Sequence, residues 1–256
     1  SSLRSRGTLC WPHTPRSRYV LRYVGAEEYI KGKTRYCLLL PDSKVSEAMG
    51  VPDLRRRLEG VTNHRRESAE ASTQEKADVP NQFYYLAYRP TDAIIVPATS
   101  SERREYIPIG YVGPETLVSN AAYAAYGAEP WLFALLTSRM HMAWMRSVGG
   151  KLKTDYRYAP TLVYNHFPVP PLSQSDKAQL AEAAFRVLDV REYHSEKTLE
   201  ELYDPDKMPA NLRLAHQQVD DLVDSIYRER PFTSDEERLS HLFDRYVEMT
   251  EEEAKK

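Results

Sequence analysis

The stretch that decides the fold is SRMHMAWMRSVGGKLKTDYRYAPTLVYNHFPVP, residues 138–170. Its first third continues an apolar stripe that begins at Pro130, and the spacing of the stripe predicts one long helix. Gly149 and Gly150 are predicted to end that helix, because a left-handed terminal residue favours glycine. The stripe consists of Leu132, Leu135, Leu136, Met140, Ala143, Trp144 and Val148.

Charged side chains alternate after the glycine pair. Lys151, Lys153 and Arg157 share one alternating register with Asp155. If Lys151–Tyr158 is extended, these four side chains lie on one side, because side chains alternate along a strand. A ribbon or loop of this kind can enter a DNA major groove, where Lys or Arg donates to guanine and Asp accepts from cytosine. The same pattern is also typical of a solvated edge strand whose lysines discourage aggregation.

The chain before residue 130 has a mixed pattern. Short runs rich in Tyr, Val and Ile predict β-strands. A charged stretch from Pro52 to about Ala71 predicts a helix between the second and third of them. The predicted strands are Arg18–Val24, Arg35–Leu40, Phe83–Arg89, Ala93–Pro97 and Tyr106–Val112.

The character of the sequence changes at about residue 170. Three prolines form a stiff break there, and the sequence beyond them has helical spacing throughout. Ser175, Thr198, Pro209 and Ser234 are predicted to begin its helices, since each suits a helix N-terminus. The sequence therefore predicts an α+β fold: a mixed α/β domain over residues 1–170, then a small all-helical domain over residues 171–256. The prolines are Pro168, Pro170 and Pro171.

Charge divides at the same place. Residues 1–170 carry 23 Lys and Arg and 16 Asp and Glu, a balance of +7. Residues 171–256 carry 12 and 21, a balance of −9, so the net charge of −2 hides the asymmetry. Such a division suggests a polyanion partner for the basic part. Mutual attraction between the two parts explains the charges equally well.

Known catalytic signatures are absent from the sequence. No GxGxxG, GxxxxGK[ST], HExxH or GxSxG motif occurs, and the seven histidines are scattered. The two cysteines, Cys10 and Cys37, have no zinc spacing and are predicted to be reduced and inert. No apolar run is long enough for a membrane span. We therefore expect no catalytic residue, no metal ligand and no cofactor in this chain, and a cytoplasmic protein without a membrane partner.

Several separated motifs carry a family resemblance. The sequence of residues 138–173 resembles the target-recognition region of MmeI-like, type IIL restriction-modification enzymes. YVGAEEYIKG at residues 23–32 and SSERREYIPIG at residues 100–110 are similar to the start and middle of that region. TLEELYDPDKM at residues 198–208 resembles the helical C-terminal domain that follows it.

The resemblance implies a division of labour within a longer polypeptide. Residues 1–170 are expected to be a DNA-binding target-recognition domain, and residues 171–256 a helical C-terminal domain. The family's adenine methyltransferase and nuclease motifs would lie upstream of Ser1. Expected partners are double-stranded DNA and an upstream methyltransferase domain of the same polypeptide. S-adenosylmethionine is expected in that catalytic domain, and this chain is expected to direct methylation without catalysing it.

The resemblance also points to residues that read DNA. Lys151 and Lys153 match the positions that contact base edges, and two donors favour guanine. Asp155 either accepts from a base or holds a neighbouring cation. Backbone or base contacts are expected from Arg103, Arg104, Arg139 and Arg157.

Two other functions remain open from the residues alone. One is a small metal-dependent nuclease that uses scattered carboxylates such as Asp42, Asp53 and Glu67. The other is a protein–protein docking domain in which the charge asymmetry serves assembly alone. Metal-dependent cleavage would favour the first, and indifference to DNA would favour the second.

Overall fold

The computed structural model describes residues 19–254. Backbone contacts divide this part of the chain into two compact units. The first comprises residues 19–23 and 35–88, and the second comprises residues 24–34 and 89–254. The mixture of helices and short strands confirms the predicted α+β class.

Nine strands, eleven α-helices and one 3-10 helix, Asp42–Lys44, occur among the described residues. The strands are β1 Val20–Val24, β2 Tyr36–Leu38, β3 Ala93–Pro97, β4 Thr99–Ser100, β5 Gly110–Val112, β6 Thr116–Val118, β7 Ala122–Tyr126, β8 Gly150–Leu152 and β9 Asp155–Arg157. The helices are α1 Ala26–Lys31, α2 Val45–Met49, α3 Pro52–Arg66, α4 Ala71–Gln74, α5 Pro130–Thr137, α6 Arg139–Val148, α7 Pro160–Val163, α8 Gln174–Tyr193, α9 Leu199–Leu202, α10 Ala210–Tyr227 and α11 Asp235–Ala254.

The first unit is built on a short antiparallel pair and on α3. Residues 20–22 of β1 pair with residues 36–38 of β2. Leu40, Ala48 and Leu58 form a small core beside them. Arg65 of α3 donates to the carbonyl oxygens of residues 76, 79 and 82 at 2.7–2.9 Å, so this arginine organises a loop.

The strand predicted at Phe83–Arg89 is wrong. No residue of this segment pairs with a strand in the described part of the chain, and Tyr84 and Tyr85 are 71% and 75% exposed. Aromatic residues favour strands chiefly by packing on neighbouring strands. Phe83 stacks on Tyr23 of β1, with the ring centroids 6.2 Å apart, but the backbone of residues 83–89 forms no ladder with a strand in the described part of the chain. Their composition alone therefore does not make a strand.

The core of the second unit is a three-stranded antiparallel sheet covered by helices. β3 lies between β5 and β7, and all five of its residues are buried because it is the central strand. Phe133, Leu135 and Leu136 of α5 are at most 1% exposed. Removing each of these side chains from water contributes about 1.5–3 kcal/mol. They join one hydrophobic core with residues of α6, α8 and α10.

The single long helix predicted from Pro130 is two helices. Ser138 has extended backbone angles and ends α5. Its hydroxyl accepts from the amide of His141 at 3.2 Å and thereby caps α6. Serine favours such a cap because its side chain satisfies an amide that lacks a helical partner. The apolar spacing continues across the break, which is why the pattern predicts a continuous helix.

Gly149 ends α6 as predicted, but without a left-handed conformation. Its φ is −73° and its ψ is 161°. A Cβ atom at this position would lie 2.4 Å from the carbonyl oxygen of Met145. Glycine is therefore required by a close approach of backbone to the end of the helix.

Residues 174–254 are helical as predicted, with well-formed N-termini. Ser173, two residues before the predicted Ser175, forms a reciprocal capping box with Asp176. Thr198 begins α9 as predicted and forms a capping box with Glu201. The hydroxyl of Ser234 accepts from the amide of Glu237 at 3.2 Å. Among residues 19–254, no helix has the length and apolar character needed to cross a membrane.

Candidate nucleic-acid interface

The segment after α6 is a two-stranded hairpin. β8 pairs with β9 in the register Gly150↔Arg157, Lys151↔Tyr156 and Leu152↔Asp155. Lys153 and Thr154 form the connecting turn, and Lys153 has a φ of +57°. It is the only non-glycine residue with positive φ in the described part of the chain, in a region that side chains rarely adopt. β9 also pairs with β4, so the hairpin extends a small sheet.

The hairpin corrects the expectation of one extended strand over Lys151–Tyr158. Directly paired residues share a face, and successive residues alternate. Lys151 therefore lies on the face of Tyr156, whereas Asp155 and Arg157 lie on the opposite face. Lys153 lies at the tip. The prediction that all four charged side chains share one side is wrong, because the turn reverses the chain between Lys151 and Asp155.

The hairpin's charged side chains are solvent-exposed. The four side chains are those of Lys151, Lys153, Asp155 and Arg157. No hydrogen bond or ion pair holds the side chain of Lys153 or Arg157 within residues 19–254. Lys151 Nζ lies 5.9 Å from the ring centroid of Tyr156. These cations are therefore available to a ligand.

The base of the hairpin is anchored in the core. Tyr158, which follows β9, is 2% exposed, and its amide donates to the carbonyl oxygen of Ala98 at 2.9 Å. Its hydroxyl lies 3.0 Å from Nε2 of His141, a buried residue of α6. Burial lowers the pKa of His141 to about 3, so the ring is neutral. His141 is therefore a packing residue of the core.

Arg103 and Arg104 lie in the loop that follows β4. Arg103 forms an ion pair with Asp206 at 2.6 Å, in which both side chains are largely exposed. Arg104 is half-buried, and its Nη1 lies 3.5 Å from the hydroxyl of Ser100. Burial lowers the pKa of Arg104, against the opposing field of nearby carboxylates that include Asp155. Its guanidinium stays charged, since arginine retains its proton in proteins.

Arg139 is held by the first residue of α11. Its Nε donates to Asp235 at 2.6 Å, and this hydrogen bond raises the pKa of Arg139. Arg146 and Arg238 also contact Asp235, each at 3.3 Å. Arg238 in turn forms a largely buried pair with Asp224 at 2.5 Å. Of the four arginines predicted to contact DNA, only Arg157 has no side-chain partner among the described residues.

Asp220, a buried carboxylate next to the first residue of α6, is not predicted from the sequence. Asp220 of α10 accepts from the hydroxyl of Tyr106 at 2.7 Å and from the amide of Arg139 at 2.6 Å. Burial raises the pKa of Asp220 to about 7, although both hydrogen bonds act in the opposite direction. His216, Asp220 and Asp224 recur every four residues along the apolar stripe of α10. That spacing is the signal that could have identified them as buried polar residues.

The residues of the nuclease alternative do not form a cluster. Asp42 accepts from Asn81 at 2.6 Å and from Gln82 at 3.2 Å, and Asp53 pairs with Arg56 at 3.3 Å. No group of three His, Cys, Asp or Glu side chains suited to a metal ion occurs among residues 19–254. Cys37 is a free, half-buried thiol, and burial raises its pKa to about 11. Cys10 lies outside the described residues.

Comparison with known proteins gives consistent matches over nearly the whole chain. DNA methyltransferase A of Bacillus subtilis strain 168 is 43% identical over 233 residues, which is 91% of this chain and 26% of that protein. A solved structure of the type IIL restriction-modification enzyme MmeI in complex with DNA is 39% identical. It superposes with a TM-score of 0.87 and covers 92% of this chain and 32% of that one. The chain thus spans about a quarter to a third of the proteins that it matches.

Two family descriptions match the chain in succession. The MmeI target recognition domain matches residues 5–171, and the MmeI C-terminal domain matches residues 172–253. These boundaries differ from those of the two compact units, which divide the chain at residues 23–24, 34–35 and 88–89. By sequence and by structure, this chain belongs to the MmeI target recognition domain family and carries that family's C-terminal domain.

Proposed function

We propose that this chain is the sequence-specific DNA recognition module of a bacterial restriction-modification enzyme with DNA adenine methyltransferase activity. The observation that carries the proposal is the β8–β9 hairpin, which presents exposed cations without carboxylate partners in a member of a target recognition family. A two-stranded ribbon has the dimensions to enter a major groove. The relatives, a DNA methyltransferase and an enzyme solved with DNA, support the same function.

Lys151 and Lys153 are the proposed base-reading residues. Both are donors on the exposed hairpin, so they suit the guanine O6 and N7 acceptors of the major groove. They lie on one face and at the tip, and can therefore approach neighbouring base pairs. Asp155, on the other face, is proposed to accept from a cytosine amino group or to orient Arg157.

The four arginines are proposed to bind phosphate or bases to different degrees. Arg157 is the most available, because its side chain has no hydrogen bond or ion pair within residues 19–254 that DNA would have to replace. The pair between Arg103 and Asp206 is exposed, and exposed pairs contribute at most about 1 kcal/mol, so a phosphate can replace the carboxylate. Arg104 is half-buried and supports the loop. Arg139 is the least available, because Asp235 holds it.

Methyl transfer is proposed to belong to an upstream domain of the same polypeptide. That domain would bind S-adenosylmethionine and bring it to an adenine, while this chain selects the site. The longer relatives support such a division, since each extends well beyond the region that matches. The cytoplasm, where chromosomal DNA lies in a bacterium, is the proposed location.

Titration of the whole chain with fluorescent duplex DNA of random sequence, at several salt concentrations, tests the proposal. We expect the logarithm of the affinity to fall linearly with the logarithm of salt concentration, with a slope near −0.9 per phosphate neutralised. The triple variant Lys151→Ala, Lys153→Asn, Arg157→Ala should lower the magnitude of that slope by about 0.9 for each of the three cations that neutralises a phosphate. Asn is chosen at position 153 because it tolerates positive φ. Absence of binding at low salt, by this chain and by the full-length polypeptide, would contradict the proposal.

A further inference from the structure

Arg146 connects three separate elements of the second unit. Its Nη1 lies 3.3 Å from Asp235 at the start of α11, and its Nη2 donates to the carbonyl oxygen of Glu105 at 3.2 Å. Its Cζ lies 5.9 Å from the ring centroid of Tyr156 in β9. A planar guanidinium spreads five donors over three nitrogens and can reach partners in different directions, whereas the three donors of lysine share one nitrogen. Arg146 therefore joins the helical region, the loop of Arg103 and the hairpin.

The connection between α6 and the hairpin is short and tightly packed. Arg146 lies in the last turn of α6, and Gly149 alone separates that helix from β8. The amide of Gly149 donates to the carbonyl oxygen of Met145 at 2.8 Å, and there is no space for a Cβ atom. A one-residue connection without free space transmits the orientation of the helix to the strand that follows. The direction of the hairpin thus depends on how the end of α6 is held.

Asp235 provides a fixed point for that end. It accepts from Arg139 at 2.6 Å and from Arg146 and Arg238 at 3.3 Å each. Arg238 is 7% exposed and is itself held by Asp224. Asp235 is thereby linked to the buried face of α10, and it holds α6 at both its first and its last turn.

We propose that Arg146, held by Asp235, is a positioning residue that orients the β8–β9 hairpin and so determines the specificity of base reading without contacting DNA. The contact of Arg146 with Tyr156 fixes β9, and the register of the hairpin then fixes Lys151, which pairs with Tyr156. The side chain of Arg146 also donates to the carbonyl oxygen of Glu105 and thereby holds the neighbouring loop in position. The DNA part of this inference rests on the proposed function, whereas the effect on the hairpin does not.

Amide hydrogen exchange of the DNA-free chain tests the positioning role directly. We expect Arg146→Met to accelerate exchange in residues 150–157 at least tenfold, while α8 and α10 stay within twofold of the wild type. Arg186→Met is the matched control, because Arg186 also pairs with a carboxylate, that of Glu182 in its own helix. Arg146→Lys should give an intermediate rate, since it keeps the charge beside Asp235 but has no second nitrogen for Glu105. Unchanged exchange in residues 150–157 for both Arg146 variants would overturn the inference.

Affinity for two duplexes tests the consequence for specificity. The probes are a duplex selected from a random library by the wild-type chain and a scrambled duplex of equal composition. We expect Arg146→Met to lower the ratio of the two affinities about tenfold, while affinity for the scrambled duplex changes less than twofold. Asp235→Glu, which keeps the carboxylate, should retain most of the ratio. A merely structural role would lower both affinities through loss of folded protein, which the melting midpoint reports.

The results of these two experiments distinguish a failure of the positioning role of Arg146 from a failure of the DNA recognition proposal. Equal loss on both duplexes with an unchanged melting midpoint would make Arg146 a DNA contact and overturn the positioning role. If the wild-type chain selects no duplex, the DNA recognition proposal fails. In that case hydrogen exchange alone decides whether Arg146 orients the hairpin.

Discussion

Helix α6 and the β8–β9 hairpin are adjacent in the chain and both carry cations, yet the surroundings of those cations differ. The two arginines of α6, Arg139 and Arg146, are held by Asp235. In the hairpin, Lys153 and Arg157 are exposed, with no ion pair in the described part of the chain. The same type of charge therefore serves two purposes: the helix is the support and the hairpin is the surface presented to a ligand. The number of cations in a segment does not distinguish these purposes, but their partners do.

The free energy of unfolding should separate the hairpin most strongly from the support of α6, which includes Asp235 and the Arg238 of α11 that contacts it. Arg238→Met leaves Asp224 largely buried without its partner, which costs about 3–5 kcal/mol of the free energy of unfolding. Lys151→Ala removes an exposed side chain and should change that free energy by less than about 0.5 kcal/mol. Urea denaturation of both variants measures the difference. Equal destabilisation by the two variants would contradict the distinction between support and presented surface.

The free energy of unfolding should also depend on pH, because Asp220 titrates in the buried support. Burial raises its pKa to about 7, whereas an unfolded Asp titrates near 4, so the folded state binds the extra proton between these values. The free energy of unfolding should therefore fall as pH rises through this window, by up to about 1.4 kcal/mol per pH unit from this group.

The variant Asp220→Asn isolates the contribution of Asp220, because His141 and His216 have lowered pKa values and contribute with the opposite sign. Subtracting the pH profile of the variant from that of the wild type should leave a curve that declines from pH 4 to pH 7. A flat difference would mean that Asp220 ionises normally in the folded chain. Tyr106, Asp224, Arg139 and Arg238 are the charged or titratable groups that interact with it.

The smallest effect concerns the salt dependence of DNA binding. Arg157→Ala should reduce the log–log slope by about 0.9, because a partner-free cation is available to a phosphate. Arg139→Ala should leave the slope nearly unchanged, because the 2.6 Å hydrogen bond to Asp235 holds that guanidinium and makes it less available to a phosphate. Anisotropy titrations of the two variants on one duplex compare them. A larger loss of slope for Arg139→Ala would reverse the assignment of the two arginines.

Much of the fold follows from local sequence signals. Thr198 and Glu201 predict their capping box, and the apolar run of β3 predicts a buried strand, because both depend on neighbouring residues. The break at Ser138 was missed because the apolar spacing continues across it. The hairpin was missed because Lys153 and Thr154 are not among the usual turn residues, and Lys153 adopts a positive φ that favours glycine or asparagine.

The partners of the charged residues could not be predicted from the sequence. Arg139 and Asp235 are 96 residues apart, and Arg103 and Asp206 are 103 apart. Only the packing of the helices onto the mixed region brings them together. The sequence thus identifies the cations of the candidate site, whereas the fold determines which of them are available.

The most direct test of the central claim is the base preference at each position of the duplexes selected from a random library, for the wild-type chain and for Lys151→Ala. The account predicts that the variant loses preference at one base pair, by roughly 1–3 kcal/mol, and keeps it elsewhere. Lys153→Asn should act in the same way, and Arg103→Ala should weaken all sequences alike. Equal weakening at every position by the lysine variants, or an unchanged preference, would contradict the claim that the hairpin reads sequence.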